Sequence, residues 1–397
     1  MNKLKLNDIH RWTLLLTALL LAACSSKEEE EATPTGEGAV LSIAIAAPDR
    51  PIVTRADVGE ISPANDAESA IHSLHIWVFK NSDGSLVKYQ NITSPAPDLT
   101  KPQVLPINAA FADSPERVDV YVVANEASGG LTLGENTTRA ELDDLKFGHE
   151  TSTDHFGISS LTTDSDIEAK GLPLSAVGKD LQVSGHFPTL RIGTEEGLTA
   201  LQLTRAVSKV RFVICRKKES TDTKKKFDSI DQIQIDGYMI PAKQYIIPRS
   251  SYSFSYEDAP TLFLESESKL GTNDVPEVDD PTQYIYETQA AQDYEDRIND
   301  LVNTGTLMQL GPYYLRESDK QLKGTITYTY TDEQGTPLED QTANFSTATE
   351  GDFLRNHSWI VYIYYMDSKI HVFTVSSIGM KKWTQDLEEE SIIVYNW

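Results

Sequence analysis

Short apolar runs of period two, separated by turn residues, recur along this sequence and limit its fold more than any other feature. An extended chain turns successive side chains to opposite faces, so such a run can bury one face as a strand but leaves no stripe for a helix. In Ala39 to Ala56, AVLSIAIAAPDRPIVTRA, the residues Leu41, Ile43, Ile45 and Ala47 fall on one side of a strand predicted over 40–47. A proline-containing segment follows and ends Thr54-Arg55-Ala56, an exposed stretch of the kind proteases cut.

The same pattern continues downstream. Leu74, Ile76 and Val78 alternate with His75, Trp77 and Phe79; the turn Asn81-Ser82-Asp83-Gly84 then leads to a second strand near Leu86, which makes a hairpin. Val118 to Ala124, VDVYVVA, is almost continuously apolar and reads as a strand buried on both faces. In the second half, strands are predicted near 230–238, 245–247, 325–330, 358–365 and 370–376, and threonines line one face of Thr325 to Tyr330. Helical spacing is confined to Arg139 to Phe147 and to Ala290 to Val302, the latter closing at Gly305. Gly171 to Leu174, GLPL, reads as an irregular segment before a strand near 181–183. Leu201 to Cys215, LQLTRAVSKVRFVIC, reads as one long run crossing between two domains that meet near residue 203. The expected class is mainly β, built of β-sandwiches with a few short helices.

The N-terminus carries a different signal. Lys3, Lys5 and Arg11 precede the apolar run Trp12 to Ala23, which is too short for a bilayer core that takes ~20 residues to cross. A signal peptide over 1–23 fits it. The run ends Leu21-Ala22-Ala23-Cys24, which resembles a lipobox; that resemblance implies a bacterial lipoprotein with Cys24 as the lipidated residue. The polar stretch Ser25 to Glu31 and a spacer to Gly38 read equally as a solvated tether or, by resemblance, as the acidic signal that sends some lipoproteins to the outer face of the outer membrane.

Charge and composition exclude several classes. A formal net charge of -25 argues against a nucleic-acid partner. The six lysines and arginines between Arg216 and Lys226 read as a solvated hairpin loop, because no aromatic residues are interleaved with them. With Cys24 and Cys215 as the two cysteines there is no disulfide framework, and Cys215 lies in an apolar strand as a core residue. No metal motif, phosphate loop or nucleophile elbow occurs, and His149 and His155 form no ligand set. No catalytic residue, metal or cofactor is assigned.

At the C-terminus, an acidic linker Asp386 to Glu390 precedes Ser391 to Trp397. Ile393, Tyr395 and Trp397 project to one side of this last strand, and Ile392 and Val394 to the other. It can complete its own sheet or be lent to a neighbour, and periodicity alone leaves both open.

The lipobox, the Thr54-Arg55-Ala56 site, LHIWVF, VYVVAN ending at Asn125, GLPL, LTRAVSKVRF and Phe353-Leu354-Arg355-Asn356-His357-Ser358-Trp359, in that order, resemble the fimbrillin family of major fimbrial subunits. GLPLS departs from the family's more frequent methionine-glycine version. The resemblance implies two transthyretin-like β-sandwiches over 56–203 and 204–383, preceded by a lipidated pro-segment, 24–55, and followed by a donor strand within 384–397. It also implies an outer-membrane, lipid-anchored precursor, cut by an arginine-specific protease between Arg55 and Ala56. Cutting would release the strand carrying Leu41, Ile43 and Ile45; a partner subunit's Ile392, Ile393, Val394, Tyr395 and Trp397 would then fill the groove, and subunits would join head to tail into a cell-surface fimbria. The alternative is a tip or anchor accessory, or a surface lipoprotein that binds glycan or host protein without polymerising.

Overall fold

The computed structural model describes residues 39–393 apart from 47–67, 69, 94–96, 100, 113–115, 149–167, 195–196, 199, 221–224, 237–240, 242, 249–255, 257–261, 264–268, 286–290, 347–354, 377–379 and 384–389. Cys24, Arg55, Ala56, His149, His155, Val394, Tyr395 and Trp397 lie outside the described residues.

The protein is mainly β. The N-terminal strands are β1 (Ala39–Ala46), β2 (Leu74–Lys80), β3 (Leu86–Ile92), β4 (Gln103–Ile107), β5 (Arg117–Ala124), β6 (Lys146–Gly148), β7 (Leu174–His186), β8 (Thr189–Thr194), β9 (Gly197–Leu198), β10 (Ala200–Gln202) and β11 (Thr204–Arg205). Ten of them, all but β6, form one sheet whose main path runs β10-β1-β8-β7-β5-β2-β3, with β4 joined to β1. The sheet encloses its own core. Leu41, Ile43 and Ile45 of β1, Leu105 of β4 and Leu190 of β8 meet Ile76 of β2 and Val120 of β5 in one buried cluster. The opposite face of β2 and β5 is also covered: Trp77, Phe79, Tyr121 and Val123 pack with Leu142, Phe147, Ile246 and Tyr314. This double cover is why the 118–124 run has no polar face.

The later strands are β12 (Ser208–Lys217), β13 (Lys226–Ile235), β14 (Lys243–Tyr245), β15 (Leu262–Phe263), β16 (Leu270–Gly271), β17 (Glu277–Val278), β18 (Met308–Leu315), β19 (Lys323–Thr331), β20 (Pro337–Ser346), β21 (Ser358–Met366), β22 (Lys369–Ser376), β23 (Met380–Trp383) and β24 (Glu390–Ile393). One sheet has the order β17-β12-β21-β22 with β18 on β12; a second has β15-β13-β19-β20 with β16 on β13. They pack face to face as a sandwich, Phe212 and Ile363 of the first sheet meeting Ile233, Ile326 and Phe345 of the second. The helix Ala291–Asn303 presses Tyr294 and Ile298 onto the outer side of the first sheet, against Val213, Cys215 and Tyr362. That helix and its stop at Gly305, which has φ +73°, match the sequence reading.

Three expectations are corrected. The helix predicted over Arg139 to Phe147 spans Arg139–Asp143: a capping box from Thr138 and Glu141 starts it, and the chain then turns to pair Lys146 with Tyr245 in the two-stranded β6–β14 ribbon. Leu201 to Cys215 is not one run but β10, β11 and β12, because Leu203 and Ala206-Val207 break the ladder and are buried between sheets. The lysine-rich segment after Arg216 is no hairpin loop, since β12 and β13 belong to the two opposite sheets and the chain crosses from one to the other.

Candidate functional site: the slot held by the first strand

The alternation of β1 is realised as read. Leu41 and Ile43 are 0% exposed and Ile45 2%, whereas Val40, Ser42 and Ala44 on the other face are half-buried. The sequence did not show that β1 is an inner strand. It pairs antiparallel with β4, from Ala39↔Ile107 to Ile43↔Gln103, and parallel with β8, with Val40↔Thr189 and Ser42↔Arg191. Its last residues pair parallel with β10, Ala44↔Ala200 to Ala46↔Gln202. The ends are tied as well: the Val40 N–H donates to the Pro188 carbonyl at 2.8 Å, and the Leu203 N–H to that of Ala46 at 2.9 Å.

Withdrawing β1 would therefore open a slot inside the sheet, with unpaired backbone groups along both β4 and β8. Its floor is apolar, formed by Leu105, Ile107, Leu190, Ile192 and Leu201 from the same buried cluster. Backbone edges attract any extended chain, and the floor selects one with apolar groups at every second residue. On the outer face the row across the slot reads Ser184, Arg191, Ser42, Val104, and Val104 is 52% exposed.

The C-terminal residues lie elsewhere. Lys381↔Ile392 and Met380↔Ile393 are rungs of an antiparallel ladder between β23 and β24, a two-stranded sheet of their own. Among the described residues, β24 completes neither sheet of the sandwich.

Groups that could carry chemistry are held in structural roles. Burial pushes the Cys215 thiol up to about 12, and its sulfur lies 3.0 Å from the Tyr362 hydroxyl. Burial would raise the Glu126 carboxyl too, but hydrogen bonds from His75 and Ser73 outweigh it and hold the group at about 2. No group of three or more potential metal ligands is found among the described residues, and none of their helices is long and apolar enough to cross a membrane.

Residues 39–197, which begin at β1 and include both β4 and β8, match the profile of the major fimbrial subunit protein (FimA) family. Over these residues the chain is similar to the fimbrillin family. No curated protein sequence matches the chain. Similar solved structures include the tip fimbrial protein Mfa3 from Porphyromonas gingivalis with a C-terminal truncation, at 13% identity and a TM-score of 0.45 over 85% of this chain and 99% of that one. A fimbrial assembly protein from Parabacteroides distasonis is similar at 12% identity and a TM-score of 0.41, over 90% and 100% of the two chains. The fimbrial anchor protein Mfa2 from Porphyromonas gingivalis is similar at 9% and 0.39, over 85% and 96%.

The motifs that carry the fimbrillin resemblance prove to be joints. Asn125, which ends VYVVAN in a left-handed conformation, donates to the carbonyls of Ala70 at 2.9 Å and Leu172 at 2.8 Å and accepts the His72 N–H at 2.8 Å. Gly171 of GLPL has φ +67°, and a Cβ there would stand 2.3 Å from the Asn125 amide nitrogen. Arg205 of LTRAV is fully buried; it donates to the Glu68 carbonyl at 3.2 Å and to the Asn356 side chain at 3.3 Å. Arg355 pairs with Glu317 at 2.6 Å and donates to the carbonyls of Tyr245 and Ile246. Glu68, 1% exposed, accepts from the Tyr314 hydroxyl at 2.5 Å and from the Lys209 ammonium at 2.7 Å. The N-terminal sheet is thus bolted to the sandwich by buried polar contacts. No sequence signal pointed to Glu68, which sits beside Asp66 in an ordinary polar stretch.

Proposed function

We propose that this fimbrial protein is a polymerising subunit in which β1 is a removable occupant of the slot. The observation that carries the reading is the inner position of β1: an apolar, alternating strand held between two ladders, joined to the rest of the chain through the segment that contains Arg55. In this reading Cys24 is lipidated and carries the precursor to the outer membrane. Residues 56–203 and 204–383 form two transthyretin-like sandwich domains, and an arginine-specific protease cuts between Arg55 and Ala56. The freed slot then takes the C-terminal strand of another copy, with either Ile393, Tyr395 and Trp397 or Ile392 and Val394 on its floor. A head-to-tail contact of this kind does not close on itself and so yields a filament. The role is structural and adhesive rather than enzymatic.

The reading is tested in cells that make the full precursor. Arg55→Ala should leave the chain uncut, still labelled by a lipid precursor at Cys24, and absent from high-mass ladders. Deleting 391–397 should leave a cut, folded subunit that forms no ladder. Normal ladders in either variant would sink the proposal.

A further inference from the structure

Away from the slot, the joint between the first sheet and the sandwich holds a buried amine and a buried carboxyl in contact. Glu68 is 1% exposed and Lys209 8%, and the Lys209 Nζ stands 2.7 Å from the Glu68 Oε1. Both are held from behind. Lys209 is a rung of β12, opposite Tyr314 of β18 on one side and Ser358 of β21 on the other, and its N–H donates to the His357 carbonyl at 2.8 Å. The Glu68 carbonyl accepts from Arg205 at 3.2 Å, which fixes the backbone that carries the carboxyl.

Two features set this pair apart from a simple salt bridge. First, the carboxyl is used unevenly. Oε1 accepts from both the Lys209 ammonium and the Tyr314 hydroxyl, whereas Oε2 is buried and accepts no hydrogen bond. A buried carboxylate oxygen without a donor is costly, and an ion pair repays its burial only when its remaining lone pairs are satisfied. Second, the other donor on Oε1 is a neutral phenol, 3% exposed, from the residue directly across the ladder from Lys209. It stands where negative charge would gather if the amine added to the carboxyl carbon.

We propose that Glu68 and Lys209 condense into an isopeptide bond that ties the segment ahead of β2 to β12. A proton passes from Nζ to the unpaired Oε2, leaving a neutral amine and a neutral acid. Nζ then adds to the carboxyl carbon, one bond beyond the oxygen it already touches, and the Tyr314 hydroxyl stabilises the charge on Oε1. The bond from carbon to Oε2 breaks as Nζ gives a second proton to the departing oxygen. One C–N bond forms, one C–O bond breaks and one water leaves; no oxidant, cofactor or other reactant is consumed. Reactants held in contact reach effective concentrations of about 10⁵–10⁸ M, which drives an addition that the same groups free in water do not make. The product keeps the Tyr314 hydrogen bond and replaces two buried charges and an unpaired oxygen with a neutral amide. Disulfides offer no such tie among the described residues, where Cys215 is free and buried. Both residues follow Arg55, so the bond is the same in a cut and an uncut chain and is independent of strand exchange.

The full chain is purified from cells, unfolded, digested with trypsin and read by tandem mass spectrometry. Wild type is expected to give a branched peptide that joins 56–80 to 206–211 through Glu68 and Lys209, lighter by one water than its two arms and uncut after Lys209. Lys209→Arg keeps a cation against Glu68 but cannot form the amide, and is expected to abolish the branched peptide while circular dichroism shows a folded chain. Tyr314→Phe keeps the ring and removes the donor, and is expected to slow the appearance of the branched peptide about 100-fold after a pulse of synthesis. Separate peptides 56–80 and 206–209 from folded wild type would overturn the proposal, and that measurement needs no variant. A loss of ammonia in place of water would also overturn it, by moving the bond to an amide such as that of Asn356, buried at the same joint. So would a branched peptide that forms as fast in Tyr314→Phe as in wild type.

Discussion

Replacing Ile43 with alanine measures how firmly β1 is seated in the uncut chain. Ile43 is fully buried, stands opposite Gln103 on β4 and contributes to the same cluster as Leu105 and Leu190. Truncation to alanine removes three carbons from a packed site, and such changes cost about 2–5 kcal/mol. Total stabilities are only about 5–15 kcal/mol, so the loss is a large share. For a cooperative unit of this size each kcal/mol moves the midpoint by about 2–4 °C, and a loss of ~3 kcal/mol lowers it by roughly 6–12 °C. Ser42→Ala, one residue away on the half-buried face, is the control and should cost under ~0.5 kcal/mol. Scanning calorimetry on both variants, each with Arg55→Ala to keep the chain intact, reads the difference. If Ile43→Ala shifts the transition no more than Ser42→Ala, the strand is not held by its buried face, and the slot is not what positions it.

Three further outcomes follow from contacts described above. Glu126 has a folded-state value of about 2 against an ordinary 4.5, so the stability it lends is complete above about pH 4.5 and lost as pH falls towards 2. Urea denaturation should accordingly show wild type and Glu126→Gln converging on acidification; a gap that stays constant would refute this. Cys215, buried and pushed up to about 12, should resist thiol reagents until the protein unfolds. Unfolded protein from membranes should then titrate one thiol if Cys24 carries lipid, and two if it does not. Arg355→Ala removes the ion pair to Glu317, 7% exposed, and the donors to two buried carbonyls, and should destabilise by about 3–5 kcal/mol in a urea titration; a change below ~1 kcal/mol would mean that the joint is bridged by other contacts.

Local pattern was legible in the sequence, and long-range pairing was not. The faces of β1, the 74–92 hairpin, the doubly buried 118–124 run and the helix ending at Gly305 all follow from spacing between near neighbours. What places β1 inside a sheet is its pairing with residues 103–107, 189–191 and 200–202, and nothing in AVLSIAIA names those partners. The same gap explains the errors. LQLTRAVSKVRFVIC looks continuous because Leu203, Ala206 and Val207 are apolar, yet they are apolar as packing between sheets and not as rungs of a strand. Phe147 keeps helical spacing after Leu142 and Leu145, but pairing of its neighbours Lys146 and Gly148 with β14 ends the helix sooner. The motifs that carried the resemblance were visible as letters; their function as joints needed the partners Glu68, Glu317 and Leu172, which lie far along the chain.

The flanking of β1 by ladders on both sides also sets how it bears force. A strand on the rim of a sheet can be peeled sideways, one hydrogen bond at a time. Ladder bonds run across the strands, so a pull along the axis of a strand enclosed by β4 and β8 loads all its rungs together in shear. Whatever occupies that slot is thereby gripped most firmly against axial tension, the direction in which flow would drag the proposed head-to-tail filament.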